Sequence, residues 1–122
     1  MKDKKKSIWK KSVDKHDYDA AYEYLTLLYS KEYSKHLVEE MRNTPICTKH
    51  AKDLFRASGH DLLPKENVYV KKDLDKIKKG IKLSPVLLVS SCDRLIIADG
   101  FHRISAGYLL GEDEEIPCIL VN

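Results

Sequence analysis

Apolar positions along the chain follow two different periods. From Asp17 onward, Tyr18, Ala21, Tyr22, Leu25, Leu28 and Tyr29 recur at helical spacing and define one apolar face. A second helix is expected from about Ser30 to Arg42, with Tyr33, Leu37, Val38 and Met41 inward. Asn43-Thr44-Pro45 ends it, because proline disfavours helix in the residue before it. A third helix is expected to open near Thr48, a good N-cap residue, to bury Ala51, Leu54 and Phe55, and to stop at Gly59. Leu62-Leu63-Pro64 reads as extended. A fourth helix buries Val70, Leu74 and Ile77, ends at Gly80, and carries Lys71, Lys72, Lys76, Lys78 and Lys79 outward.

The pattern then shortens. Pro85-Val86-Leu87-Leu88-Val89 is an apolar run of mostly branched residues bounded by turn formers, the signature of a buried strand. Ser90-Ser91-Cys92-Asp93 is a turn, and Leu95-Ile96-Ile97-Ala98 a second strand broken by Asp99-Gly100. Residues 102–110 return to helical spacing through Ile104, Tyr108 and Leu109, and Gly111 ends them. Pro117-Cys118-Ile119-Leu120-Val121 is a last strand. The expected fold is α+β: a small mixed sheet with helices, preceded by a helical leader. The expected parts are a basic flexible N-terminus over 1–16, the leader packed on the core over 17–61, and the core over 62–122.

Length and composition narrow the class. The 122 residues suit one domain, and 34% charged residues give a wet surface. No run approaches the roughly 18 apolar residues of a membrane span, and no apolar stretch follows the charged start, so a cytoplasmic protein without a membrane partner is expected. Cys47, Cys92 and Cys118 show no metal-type spacing, so three reduced thiols and no metal site are expected. The net charge of +3 is only mildly basic, but six lysines fall within the first eleven residues. That block opens a second role, salt-sensitive binding of nucleic acid. The tyrosine-rich leader, with Tyr24 off its apolar face, leaves a homodimer open.

The chemistry concentrates at Asp99-Gly100-Phe101-His102-Arg103, where a strand reverses into a helix. The first backbone N–H groups of a helix lack intrahelical acceptors, and the helix dipole adds partial positive charge there. Gly100 lets the backbone approach a ligand. His102 and Arg103 add a titratable donor and a permanent forked cation. The turn is suited to a phosphate. For Asp99 three roles are open: orienting the histidine, binding a metal on the phosphate, or capping the helix.

From about Leu62 to Asn122 the chain resembles the ParB/sulfiredoxin-like superfamily. The likeness rests on a helix ending at Gly80, Leu83-Ser84-Pro85-Val86-Leu87-Leu88-Val89, a second strand, the Asp99–Arg103 turn, an alanine-containing helix to Leu110-Gly111, and Ile116-Pro117-Cys118-Ile119. The first half, notably Lys52 to Gly59, looks like the leader of a small stand-alone branch. The resemblance implies a bound nucleotide (ATP, ADP or CTP, with or without magnesium) and a phosphotransferase or nucleotide hydrolase. The alternative is a non-catalytic nucleic-acid or protein-binding module that keeps the fold.

Sulfiredoxins carry a catalytic cysteine where this chain has Phe101, which has no thiol, so that repair chemistry is not expected. ParB partition proteins carry two arginines at the turn and a helix-turn-helix after it. This chain has His102-Arg103, and no helix-turn-helix follows its last strand, which argues against a partition role. Free-serine kinases have a turn of Asp-Gly-His-His-Arg type and a glutamate base before the first core helix. That branch implies Asp99, His102 and Glu66 as catalytic, with Glu66 taking a proton from a hydroxyl. The superfamily likeness implies Gly100, Phe101, His102 and Arg103 as nucleotide ligands and Lys71 or Lys72 as the lysine reaching the phosphates; Ser84, before Pro85, is expected to cap or line the pocket.

Overall fold

The computed structural model of the protein describes residues 7–122. Its elements run α1 (Lys15–Leu25), α2 (Lys31–Arg42), β1 (Cys47–His50), α3 (Ala51–Ser58), α4 (Val68–Lys78), β2 (Val86–Ser90), β3 (Leu95–Asp99), α5 (Phe101–Leu110) and β4 (Glu115–Val121). The fold is mixed α+β, with a four-stranded sheet in the order β1-β4-β2-β3. β4 runs parallel to β2 and antiparallel to β1, and β2 is antiparallel to β3.

Strand alternation divides the core into two layers, because successive side chains point to opposite faces. Val86, Leu88, Ile97, Ile116 and Cys118 face one side with Trp9, Ala51, Leu54, Phe55 and Ile104. Leu87, Val89, Ile96, Ala98, Ile119 and Val121 face the other with Ala21, Leu25, Leu37, Val38 and Met41. Helices α1 and α2 therefore cover one face, and α3 and α5 the other. Each fully buried leucine or isoleucine contributes about 1.5–3 kcal/mol relative to exposure. The central strands are apolar on both faces for this reason.

Local chemistry sets the element ends. The Ser30 hydroxyl accepts from the Tyr33 N–H at 3.1 Å and starts α2. Asn67 caps α4 by accepting from Tyr69 and Val70 N–H at 2.9 and 3.2 Å. Gly59 closes α3 at φ 72°.

Four expectations are corrected. Cys47–His50 is a strand, so Thr48 is not an N-cap; it pairs with Pro117 on β4. The first N–H groups of α3 are satisfied instead by the loop before β4, Ala51 N–H to Glu114 O at 2.9 Å and Lys52 N–H to Glu112 O at 3.0 Å. The leader drawn over 17–61 is divided, since β1 joins the sheet and α3 packs on the face opposite α1 and α2. Leu28 and Tyr33 are exposed, because α1 ends at Leu25 and the chain turns before Leu28, while Ser34 takes the inward position of α2. The polar start expected to run to residue 16 is packed from Ile8: Leu83 N–H donates to Ile8 O at 2.8 Å, Lys10 N–H to Leu83 O at 2.7 Å, and Trp9 enters the core. Lys2, Lys4, Lys5 and Lys6 lie outside the described residues, while Lys10 pairs with Asp14 at 2.7 Å. Among the described residues no helix is long and apolar enough to cross a membrane.

Candidate anion-binding site

Gly100 is the hinge of the site. It ends β3 and occupies the N-cap position of α5 at φ 111°, and no side chain among the described residues caps that helix. α4 has its Asn67 cap, whereas the first turn of α5 has no side-chain cap and borders the cleft beside α4. The cleft between the two helices has a volume of about 220 Å³ and is lined by Tyr69, Lys72, Asp73, Lys76, Asp99, Gly100, His102 and Arg103.

Helical geometry explains which α4 residues reach it. Tyr69, Lys72, Asp73 and Lys76 are spaced i, i+3, i+4, i+7 and share one face. Lys71, Leu74, Asp75 and Lys78 repeat that spacing two residues on, which turns them to the far side. There they line a separate groove with Lys65 and Glu66. Of the two lysines expected at the phosphates, Lys72 is therefore in the cleft and Lys71 is not. The Lys72 ammonium lies 5.7 Å from the Tyr69 ring centroid, and that ring lies 4.9 Å from the His102 ring.

Arg103 is the most constrained cation. Its Nη2 donates to Asp99 Oδ2 at 2.8 Å and lies 3.3 Å from Asp17 Oδ2 on α1. The Asp17 side chain is only 4% exposed. Its Oδ2 receives no hydrogen bond among the described residues, so ionic attraction to Arg103 is its compensation. Burial raises the Asp99 carboxyl above its ordinary value, against the opposing pull of Arg103. Asp73 is raised in the same way, with burial outweighing the attraction of Arg103, Lys76 and His102.

The expected site residues separate accordingly. Asp99, Gly100, His102, Arg103 and Lys72 converge on the cleft. Asp99 does not cap α5; its carboxylate accepts from Arg103. Phe101 packs against the core, edge-on to Phe55 with centroids 6.1 Å apart and 5.0 Å from the His60 ring, and its side chain does not line the cleft. Ser84 is buried away from the cleft, where its hydroxyl accepts from the Asp14 N–H at 3.0 Å and ties the N-terminal segment to the core. Glu66 is exposed and lines the separate groove on the far side of α4, not the cleft. Tyr69, Asp73 and Lys76 are additions. The i, i+3, i+4, i+7 set beginning at Tyr69 was the available signal. Asp17, which supports the site from α1, gave no signal beyond an acid in a first helical turn.

The chain matches no family model, no curated protein and no solved structure.

The raised Asp73 carboxyl makes a pH-dependent prediction. In the folded state it keeps its proton to higher pH than in the unfolded chain, so stability falls as pH rises from the unfolded value, 3.8, through the raised folded value. Asp73→Asn removes that penalty. The variant is expected to melt above the parent at neutral pH, with the gain vanishing below about pH 4. Paired melting curves across that range check it. A variant that melts lower at neutral pH would show that attraction to Arg103 outweighs burial.

Proposed function

We propose that the protein binds the phosphate group of a nucleotide in the cleft between α4 and the N-terminus of α5. The observation that carries this reading is a convergence: the uncapped first turn of α5, Gly100, His102, Lys72 and Lys76 all border one cavity. Helix amides and a permissive glycine suit a bound oxyanion. The likeness of residues 62–122 to ParB/sulfiredoxin-like proteins supports the same reading. At about 220 Å³ the cavity is below the roughly 300–1,000 Å³ of sites that enclose a whole small ligand. It suits phosphate groups, with the nucleoside lying across its rim near Tyr69.

Arg103 is part of this site as its frame, because its charge is shared with Asp17 and Asp99. The exposed cations facing the ligand are Lys72 and Lys76. Of the two cleft carboxyls raised by burial, Asp99 is engaged by Arg103, so a phosphotransferase or hydrolase activity would run through Asp73, taking a proton from a hydroxyl or water.

Thermal shift and calorimetry with ATP, ADP and CTP, each with and without magnesium, test the reading. At least one nucleotide is expected to raise the melting temperature. Lys72→Ala and Lys76→Ala are each expected to weaken its binding about tenfold, the loss of one charge-assisted contact. Both lysines are exposed, so their loss leaves folding intact. No heat and no shift with any of the three at millimolar concentration overturns the proposal.

A further inference from the structure

Two thiols face each other at one edge of the sheet. The register of β1 with β4 sets Cys47 directly opposite Cys118, and their sulfurs are 3.7 Å apart. Opposed residues of an antiparallel pair have Cα atoms about 4.5–5.5 Å apart, inside the range of about 4.4–6.8 Å that a disulfide spans. Side-chain rotation is therefore enough to join them, with the backbone left in place.

The two thiols have different surroundings. Cys47 is exposed on β1, and Cys118 is fully buried. Burial first, and then the neighbouring Cys47, push the Cys118 thiol up to about 12. A soluble oxidant thus meets Cys47 first, and Cys118 waits beside it as a protonated thiol. Cys92 is exposed in the β2–β3 turn, on the side of the sheet away from β1.

We propose that Cys47 and Cys118 form an oxidisable pair that hydrogen peroxide converts to an intramolecular cross-strand disulfide. In the first step the Cys47 sulfur attacks one peroxide oxygen, the O–O bond breaks, and water leaves, giving a sulfenic acid. In the second, the Cys118 sulfur attacks the Cys47 sulfur, and the S–O bond breaks. The hydroxyl departs with the Cys118 proton as water. Two thiols lose two electrons and two protons in total, and one peroxide becomes two waters. The bond fastens β1, whose four residues are all exposed, to its neighbour, and it cross-links positions 71 residues apart in sequence. Restricting the unfolded chain in this way raises resistance to unfolding.

The test treats the native, full-length protein with stoichiometric hydrogen peroxide. Free thiols are expected to fall from three to one, and a peptide map is expected to join the Cys47 and Cys118 fragments. The melting temperature is expected to rise, and dithiothreitol to reverse every change. Cys92→Ser is expected to leave the cross-link intact, and Cys47→Ser to abolish it. Both substitutions are at exposed positions, so folding is preserved. Cys118 remaining a free thiol while Cys47 becomes sulfinic acid, or joins another molecule, overturns the proposal. So does a link that forms only in denaturant.

Discussion

Arg103→Ala is expected to destabilise the protein by about 3–5 kcal/mol, the cost of stranding buried carboxylates. The magnitude follows from what the guanidinium neutralises. Asp99 is 2.8 Å from Nη2, Asp17 is 3.3 Å away, and the two carboxylate side chains are 19% and 4% exposed. Removing the cation leaves two negative charges close together and away from water. The melting temperature is expected to fall by more than about 10 °C. The deficit is expected to shrink as pH falls, because carboxyls without a counter-charge take up protons at higher pH and lose the penalty. Adding Asp17→Asn should recover part of the loss, with a coupling of about 0.5–3 kcal/mol between the two sites. Denaturant unfolding of the single and double variants measures this. A loss below about 1 kcal/mol, within the range of an ordinary surface pair, would show that Asp17 and Asp99 do not depend on Arg103. One consequence concerns the ligand. Loss of nucleotide binding in Arg103→Ala would be ambiguous between folding and recognition, and Lys72 and Lys76 avoid that ambiguity.

What could be read from the sequence depended on whether a residue's environment shows in its neighbours. β2, β3 and β4 were legible because strands covered on both faces must be apolar throughout, and Val86–Val89 and Leu95–Ala98 are. The Asp99–Arg103 turn was legible because Gly100 interrupts an apolar run immediately before helical spacing resumes. β1 was not. Cys47-Thr48-Lys49-His50 is exposed along its length, so its strand conformation comes from backbone pairing with β4, which leaves no side-chain pattern. The same local view placed Lys71 beside Lys72 as an equal candidate, although adjacent helical residues diverge by about 100° and only one of them can enter the cleft. Buried acids were the largest gap. Asp17 and Asp73 sit among polar helical neighbours, and only the tertiary fold puts Arg103 near both. Trp9 was hidden in the same way, as one large apolar side chain within a lysine-rich start.

Gly100→Ala is expected to be nearly as damaging, for a steric reason. At φ 111° an alanine is strained by about 1–3 kcal/mol before any contact is counted. Its Cβ would also stand 2.4 Å from Val86 Cγ1, 2.7 Å from Val86 Cβ and 2.9 Å from Arg103 Nη2. Val86 is fully buried at the start of β2, between two paired strands, and has no room to retreat. Overpacking of this kind adds about 1–3 kcal/mol. Displacing Nη2 also loosens the contact with Asp99, so Gly100→Ala and Arg103→Ala should be less than additive when combined. Gly59→Ala separates the two causes. Gly59 also has a positive φ, 72°, but a Cβ there meets nothing within 4 Å. That variant should lose only the backbone preference, about 1–2 kcal/mol. The excess loss in Gly100→Ala then measures how tightly β2 and Arg103 close on the N-terminus of α5. If the two glycine variants unfold at the same denaturant concentration, the close approach to Val86 has no energetic weight, and the turn owes its glycine to φ alone.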